Sequence, residues 1–182
     1  MYASAYVPWL VHSRIPLDTP MDTTIQLPDT TDRRTRYGAL HPQLEALLQG
    51  ETDMQANMAN VAAALHSTFA WHWTGFYRVV GKELVLGPFQ GPVACTRIPY
   101  GKGVCGAAWS QNKSIIVEDV EQFPGHIACS PYSRSEIVVP VRDPYGVIVA
   151  VLDVDSSELN DFSALDHQEL ERICKLLERS AQ

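Results

Sequence analysis

Two runs, Ser135-Glu136-Ile137-Val138-Val139-Pro140-Val141 and Val147-Ile148-Val149-Ala150-Val151-Leu152-Asp153-Val154-Asp155, flank the turn Asp143-Pro144-Tyr145-Gly146. β-Branched residues on both sides of such a turn predict an antiparallel hairpin. Upstream, residues 71–80 are aromatic and β-branched, and Gly81-Lys82 turns them into residues 83–86 as a second hairpin. Residues 92–98 and 114–117 are further strand candidates. Helical spacing lies outside and between these strands. Leu40, Leu44, Leu47 and Leu48 form one face from Ala39 until Gly50 stops it, and Met54, Met58, Val61, Ala62 and Leu65 form another behind an N-cap at Thr52. A short helix is expected over residues 105–111. A last one carries Leu165, Leu170, Ile173, Leu176 and Leu177 behind a cap at Asp161 or Ser163. Helices, then antiparallel strands with a helical crossover, then a helix predict an α+β fold, a central antiparallel sheet with helices packed on one face.

Residues 1–38 are rich in Pro, Thr and Asp around the basic knot Arg33-Arg34-Thr35-Arg36, and they lack periodicity. They read as an N-terminal extension, poorly ordered or surface-bound, ahead of a domain at 39–182. The net charge of −7, from 14 basic and 21 acidic residues, argues against nucleic acid as a partner, since that binding needs basic surface to replace counterions. No apolar run approaches the roughly 20 residues of a membrane span. The first residues have no basic n-region, so a cytoplasmic, reducing location is expected and permanent disulfides are not.

Against that expectation, three of the four cysteines fall in turn-like contexts, Ala94-Cys95-Thr96, Val104-Cys105-Gly106 and Ala128-Cys129-Ser130. Such positions suit accessible thiolates and thiol redox chemistry. Their separations of ten and twenty-four residues give no local zinc chelate, so no metal is expected. Gly101-x-Gly103-x-x-Gly106 matches a dinucleotide fingerprint by letters, but no βαβ unit surrounds it. The glycines are better read as a loop that lets Cys105 open a helix, whose N-terminus would lower its thiol pKa. Alternation puts Asp153 and Asp155 on one face, and the hairpin can bring Glu136 to the same mouth. These acids form a solvated strand end, a pocket for a small ammonium group, or, less favoured, a Mg²⁺ site that would leave the cysteines unexplained. Trp73 and Tyr77 share one parity on the first strand and Phe76 has the other; the pair is either core or pocket wall. His126 precedes Cys129 by three residues and either raises its thiolate fraction or ends a loop.

The strings Trp73-Thr74-Gly75-Phe76-Tyr77, Leu86-Gly87-Pro88-Phe89-Gln90-Gly91, Ala94-Cys95, Ile98-Pro99, Gly101-Lys102-Gly103-Val104-Cys105-Gly106, Gly125-His126-Ile127-Ala128-Cys129, Ser135-Glu136-Ile137-Val138 and Val151-Leu152-Asp153-Val154-Asp155-Ser156 resemble the free methionine-(R)-sulfoxide reductases, single GAF-fold enzymes. The match runs from about Leu40 into the last helix. The stretch Ser130-Pro131-Tyr132-Ser133-Arg134 and the turn at residues 143–146 depart from the pattern, which bears on pocket shape. The resemblance implies a GAF-like sheet with helices on one face and active-site loops on the other. It implies Cys129 as the nucleophile, Cys95 as the resolving cysteine, Cys105 as a third cysteine of secondary role, and Glu136, Asp153 and Asp155 as holders of the substrate. It further implies that an acid such as Glu136 assists the sulfoxide oxygen and that Trp73 lines the pocket. Free methionine-(R)-sulfoxide and a thioredoxin-like reductant are the implied partners, with no cofactor and with a homodimer as one possible assembly. Cys174 has no counterpart in this set and reads as structural. A GAF-type ligand sensor and a thiol redox switch without turnover are the rival readings. The sensor is disfavoured because 182 residues are expected to leave no room for an output domain.

Overall fold

The long hairpin pairs β5 (Ser135–Arg142) with β6 (Ile148–Ser156) in antiparallel register. The structure, a computed structural model, describes residues 24–127 and 129–180. The expected extension over residues 1–38 lies outside the described residues up to position 23. β1 (Trp73–Val80) pairs with the free edge of β6 and with β2 (Glu83–Gln90). β3 (Arg97–Pro99) and β4 (Ile115–Val117) close the two ends, giving one antiparallel sheet in the order β3-β2-β1-β6-β5-β4.

Period-2 alternation divides the side chains between two cores. Phe76, Ile137, Val139, Val141, Ala150, Leu152 and Val154 face one side. There they meet the apolar stripes of α1 (Arg33–Leu48), α2 (Met54–Phe69) and α4 (Ala164–Ser180). Cys174 is buried in this core. The other parity carries Trp73, Tyr77, Val138 and Val151 to the opposite face, under the short α3 (Gly103–Gln111) and the long loops. The three long helices therefore cover one face, and the loops, joined by α3, cover the other.

Several boundaries differ from the expected ones. α1 starts at Arg33 rather than Ala39, capped by Asp32, whose carboxylate accepts the Thr35 amide at 2.8 Å. The first turn has little apolar periodicity because it is fixed by charge. Arg33 donates to Asp161 and, at 3.0 Å, to the fully buried Asp166, which also accepts from the Tyr37 hydroxyl at 3.1 Å. The N-cap of α2 is Asp53, which accepts from the Gln55 and Ala56 amides, and not Thr52. Ser163 precedes α4 and exchanges hydrogen bonds with Asp166. Of residues 92–98 only the end is strand, because the earlier part is the loop that delivers Cys95. Among the described residues no helix is long and apolar enough to cross a membrane.

Candidate active site

The site lies on the loop-covered face, where the register of the sheet assembles it. Asp155 is flanked across the strands by Trp73 on one side and Glu136 on the other, and Asp153 by Gly75 and Val138. Parity turns Glu136, Asp153 and Asp155 to the same side. α3 then lays Cys105 over them, with its Sγ 3.9 Å from Glu136 Oε1. The start of α3 packs tightly on the turn after β3 because Gly106 has no side chain; a Cβ there would stand 2.7 Å from the Pro99 carbonyl oxygen. The loop before β5 brings Cys129 across the top, where it forms a disulfide with Cys95 at a Cα separation of 5.4 Å.

A cavity of about 30 Å³ remains beneath this bond. Its lining includes Cys105, His126, Cys129, Glu136, Asp153 and Asp155. That volume holds one or two waters and not an amino acid. Trp73 and Tyr77 do not line it in this disulfide-bonded form. Trp73 stacks on Tyr77 and Phe89 with centroids 5.9 and 5.4 Å apart, its Nε1 donates to the Pro92 carbonyl at 3.1 Å, and the Tyr77 hydroxyl donates to the Cys95 carbonyl at 3.0 Å. Both rings therefore brace the Cys95 loop. Gly75 makes room for the stack, since a Cβ there would meet the Trp73 ring at 2.6 Å.

The electrostatics are those of a buried acid cluster with no cation among its lining side chains. Burial first, then the neighbouring Asp153 and Asp155, push Glu136 well above the usual carboxylate range. Burial and Asp153 do the same to Asp155, against a hydrogen bond from Ser133. Asp153 is pushed up to about 6 by burial, opposed by hydrogen bonds with Cys105 and Glu136. One of its oxygens, Oδ1, is buried without a hydrogen-bond partner. The expected lowering of the Cys105 pKa at a helix N-terminus is overturned. Burial, then Asp153 and Glu136, raise this thiol well above its ordinary value. A terminal dipole contributes at most about 2 kcal/mol, and a buried thiol facing carboxylates loses more than that on ionising. Burial also lowers the His126 imidazole, so near pH 7 it is neutral and lends no positive charge to a thiolate.

Of the residues singled out from sequence, Cys95, Cys105, Cys129, Glu136, Asp153 and Asp155 converge, and Trp73 and Tyr77 stand behind them. Three neighbours escaped the sequence reading. Ser133 caps Asp155. His72 Nε2 lies 2.9 Å from Ser130 Oγ, which in turn accepts the Tyr132 amide at 3.2 Å. This His72–Ser130 contact spans 58 positions and fastens the loop that carries Cys129 to the start of β1. No local pattern announces a hydrogen bond of that range.

A family profile described as a GAF domain matches residues 49–179. The GAF domain-containing protein A of Dictyostelium discoideum is 56% identical over 80% of this chain and 92% of its own length. The free methionine-R-sulfoxide reductase of Escherichia coli (strain K12) is 44% identical, covering 79% of this chain and 87% of that one. The X-ray structure of the free methionine-R-sulfoxide reductase from Neisseria meningitidis, in complex with its substrate, superposes with a TM-score of 0.82 at 46% identity, over 87% of this chain and 96% of that chain. With this fold, these thiols and these relatives, the chain belongs to the GAF-domain family of free methionine-R-sulfoxide reductases.

Proposed function

We propose that the protein reduces free methionine-(R)-sulfoxide to methionine by thiol chemistry. The observation that carries this reading is the Cys95–Cys129 bond closed over the Glu136–Asp153–Asp155 floor. Opening the bond frees Cys129 and enlarges the space above the acids. The substrate ammonium then sits among the carboxylates, which face no other cation among the described lining residues, and the sulfoxide lies under Cys129. Holding both ends of the substrate fixes the distance between the reacting sulfur atoms.

Cys129 attacks the sulfoxide sulfur as the thiolate. A protonated acid of the cluster, Glu136 in the leading assignment, donates to the sulfoxide oxygen and makes the sulfur more electrophilic. Burial and the neighbouring acids push Glu136 and Asp155 above the usual carboxylate range, which favours the protonated form. Oxygen transfers to Cys129, methionine leaves, and a sulfenic acid remains. The Cys95 thiol condenses with it, releasing water and forming the disulfide. A thioredoxin-like dithiol then reduces that bond by exchange. Cys105, buried and held neutral, lends its S–H to Glu136 rather than acting as a nucleophile in this state.

The test is NADPH consumption in the presence of thioredoxin, its reductase and the free R-sulfoxide, with the S epimer as control. Sustained consumption with the R epimer alone is expected. A single burst of one equivalent followed by silence with every dithiol donor would favour a redox switch, and binding without any methionine release would favour a ligand sensor.

A further inference from the structure

Two acids of the substrate floor, together with the Cys105 thiol, also form a set of metal donors. One ligand atom each from Cys105, Glu136 and Asp153 lies within 4.8 Å of the others, and all three residues are buried. A tetrahedral zinc centre has Zn–S of about 2.3 Å and Zn–O of about 2.0–2.2 Å, which sets an S···O edge of about 3.5–3.7 Å. The measured Sγ···Oε1 separation is 3.9 Å, so small side-chain rotations reach that edge. Asp153 lines the cavity, is 6% exposed, and has its Oδ1 buried without a hydrogen-bond partner. An orphaned buried carboxylate oxygen carries a desolvation cost that a cation removes. The cavity of about 30 Å³ admits an ion.

The three donors come from α3, β5 and β6, so the sheet and not the sequence spacing makes the chelate. Such a grouping leaves no mark in cysteine spacing. One sulfur with two carboxylates disfavours Mg²⁺ and Ca²⁺, which take oxygen donors in larger number, and favours Zn²⁺.

We propose that Cys105, Glu136 and Asp153 bind a Zn²⁺ ion, which competes with the substrate ammonium for the same carboxylates. The Cys105 thiol, and Glu136 where it carries a proton, release their protons to solvent as the Zn–S and Zn–O bonds form, and no electrons move. Zinc would thereby act as a reversible inhibitor. The competition rests on the reductase reading; the metal site does not.

The experiment uses the full chain with the Cys95–Cys129 disulfide intact, so that of the four cysteines only Cys105 and the oppositely buried Cys174 remain as thiols. Co²⁺ is added as the spectroscopic probe. A thiolate-to-cobalt charge-transfer band saturating at one equivalent and displaced by Zn²⁺ but not by Mg²⁺ is expected. Cys105→Ser should abolish the band. Asp153→Asn should weaken affinity at least about tenfold, since even a hydrogen-bond partner of a ligand contributes that much. If either variant fails to fold, zinc calorimetry on the parent protein still decides. No band and no heat at one equivalent would overturn the site, as would a band that survives in folded Cys105→Ser. In turnover, Zn²⁺ should raise KM for the sulfoxide with kcat unchanged. An unmoved KM beside a clear cobalt band would overturn the competition alone, and a clear band in a protein without reductase activity would overturn the reductase reading while the metal site stands.

Discussion

Replacing Asp153 with asparagine should reshape how stability depends on pH. The native carboxyl is pushed up from 3.8 to about 6 by burial. In the unfolded chain it titrates near 3.9. Between these values the native state binds more protons than the unfolded state, so stability falls as pH rises. The contribution is fully present below about pH 4 and is lost as the pH passes through about 6. Roughly two units at about 1.4 kcal/mol each amount to about 3 kcal/mol. Glu136 and Asp155 shift in the same direction, partly because of Asp153, so neutralising it relaxes them as well. The carboxamide that replaces the carboxyl has no proton to lose in this range. Relative to the parent, the Asp153→Asn protein should therefore gain about 3 kcal/mol between pH 4 and pH 8, equivalent to about 6–12 °C for a domain of this size. Urea unfolding of the ligand-free, disulfide-bonded proteins across that range measures the difference, in which titrating groups outside the cluster largely cancel. Parallel curves for the two proteins would refute the claim that this cluster is held against its own charge.

Four further outcomes follow from the geometry. Cys129→Ser should abolish even single-turnover methionine release, whereas Cys95→Ser should release one equivalent and then stop; quenched-flow analysis separates them, and full steady-state activity without Cys95 would move the resolving role to Cys105. N-acetylmethionine sulfoxide, which lacks the ammonium group, should show kcat/KM at least about a hundredfold below that of the free amino acid, since an unpaired buried charge costs several kcal/mol; comparable values would remove the ammonium pocket. Ser130→Ala should leave methionine release near the parent rate but slow disulfide closure several-fold in a timed alkylation assay, and equal closure rates would dismiss the His72 contact as a latch. Arg33→Ala should lower the melting temperature by about 4–8 °C, the equivalent of about 2 kcal/mol, because it strands the buried Asp166; an unchanged calorimetric transition would show that Tyr37 and Ser163 suffice.

Local regularity made much of the sheet legible. The β5–β6 hairpin could be read because alternation and turn chemistry agree. The same parity argument correctly set Trp73 and Tyr77 opposite Phe76, and Asp153 beside Asp155. What stayed hidden depends on distant partners. The first turn of α1 looked structureless because Arg33 finds its carboxylate 128 positions away. The Cys105 thiol was misjudged because a helix terminus is visible in sequence, whereas the acids and the burial around it come from two other strands. Residues 92–98 have strand composition, yet most of them form the loop that reaches Cys129, and a disulfide takes precedence over propensity there.

The small volume left beneath the disulfide also shapes the kinetics. Under the proposed chemistry, an oxidised molecule cannot accept a second sulfoxide, because the bond that records the last turnover occupies the door. Substrate and reductant then meet the protein alternately and never together, which is a ping-pong order imposed by volume. Excess sulfoxide cannot trap the spent form in a dead-end complex. Under oxidative load the throughput is therefore set by the supply of electrons, and unused substrate waits in solution rather than on the enzyme.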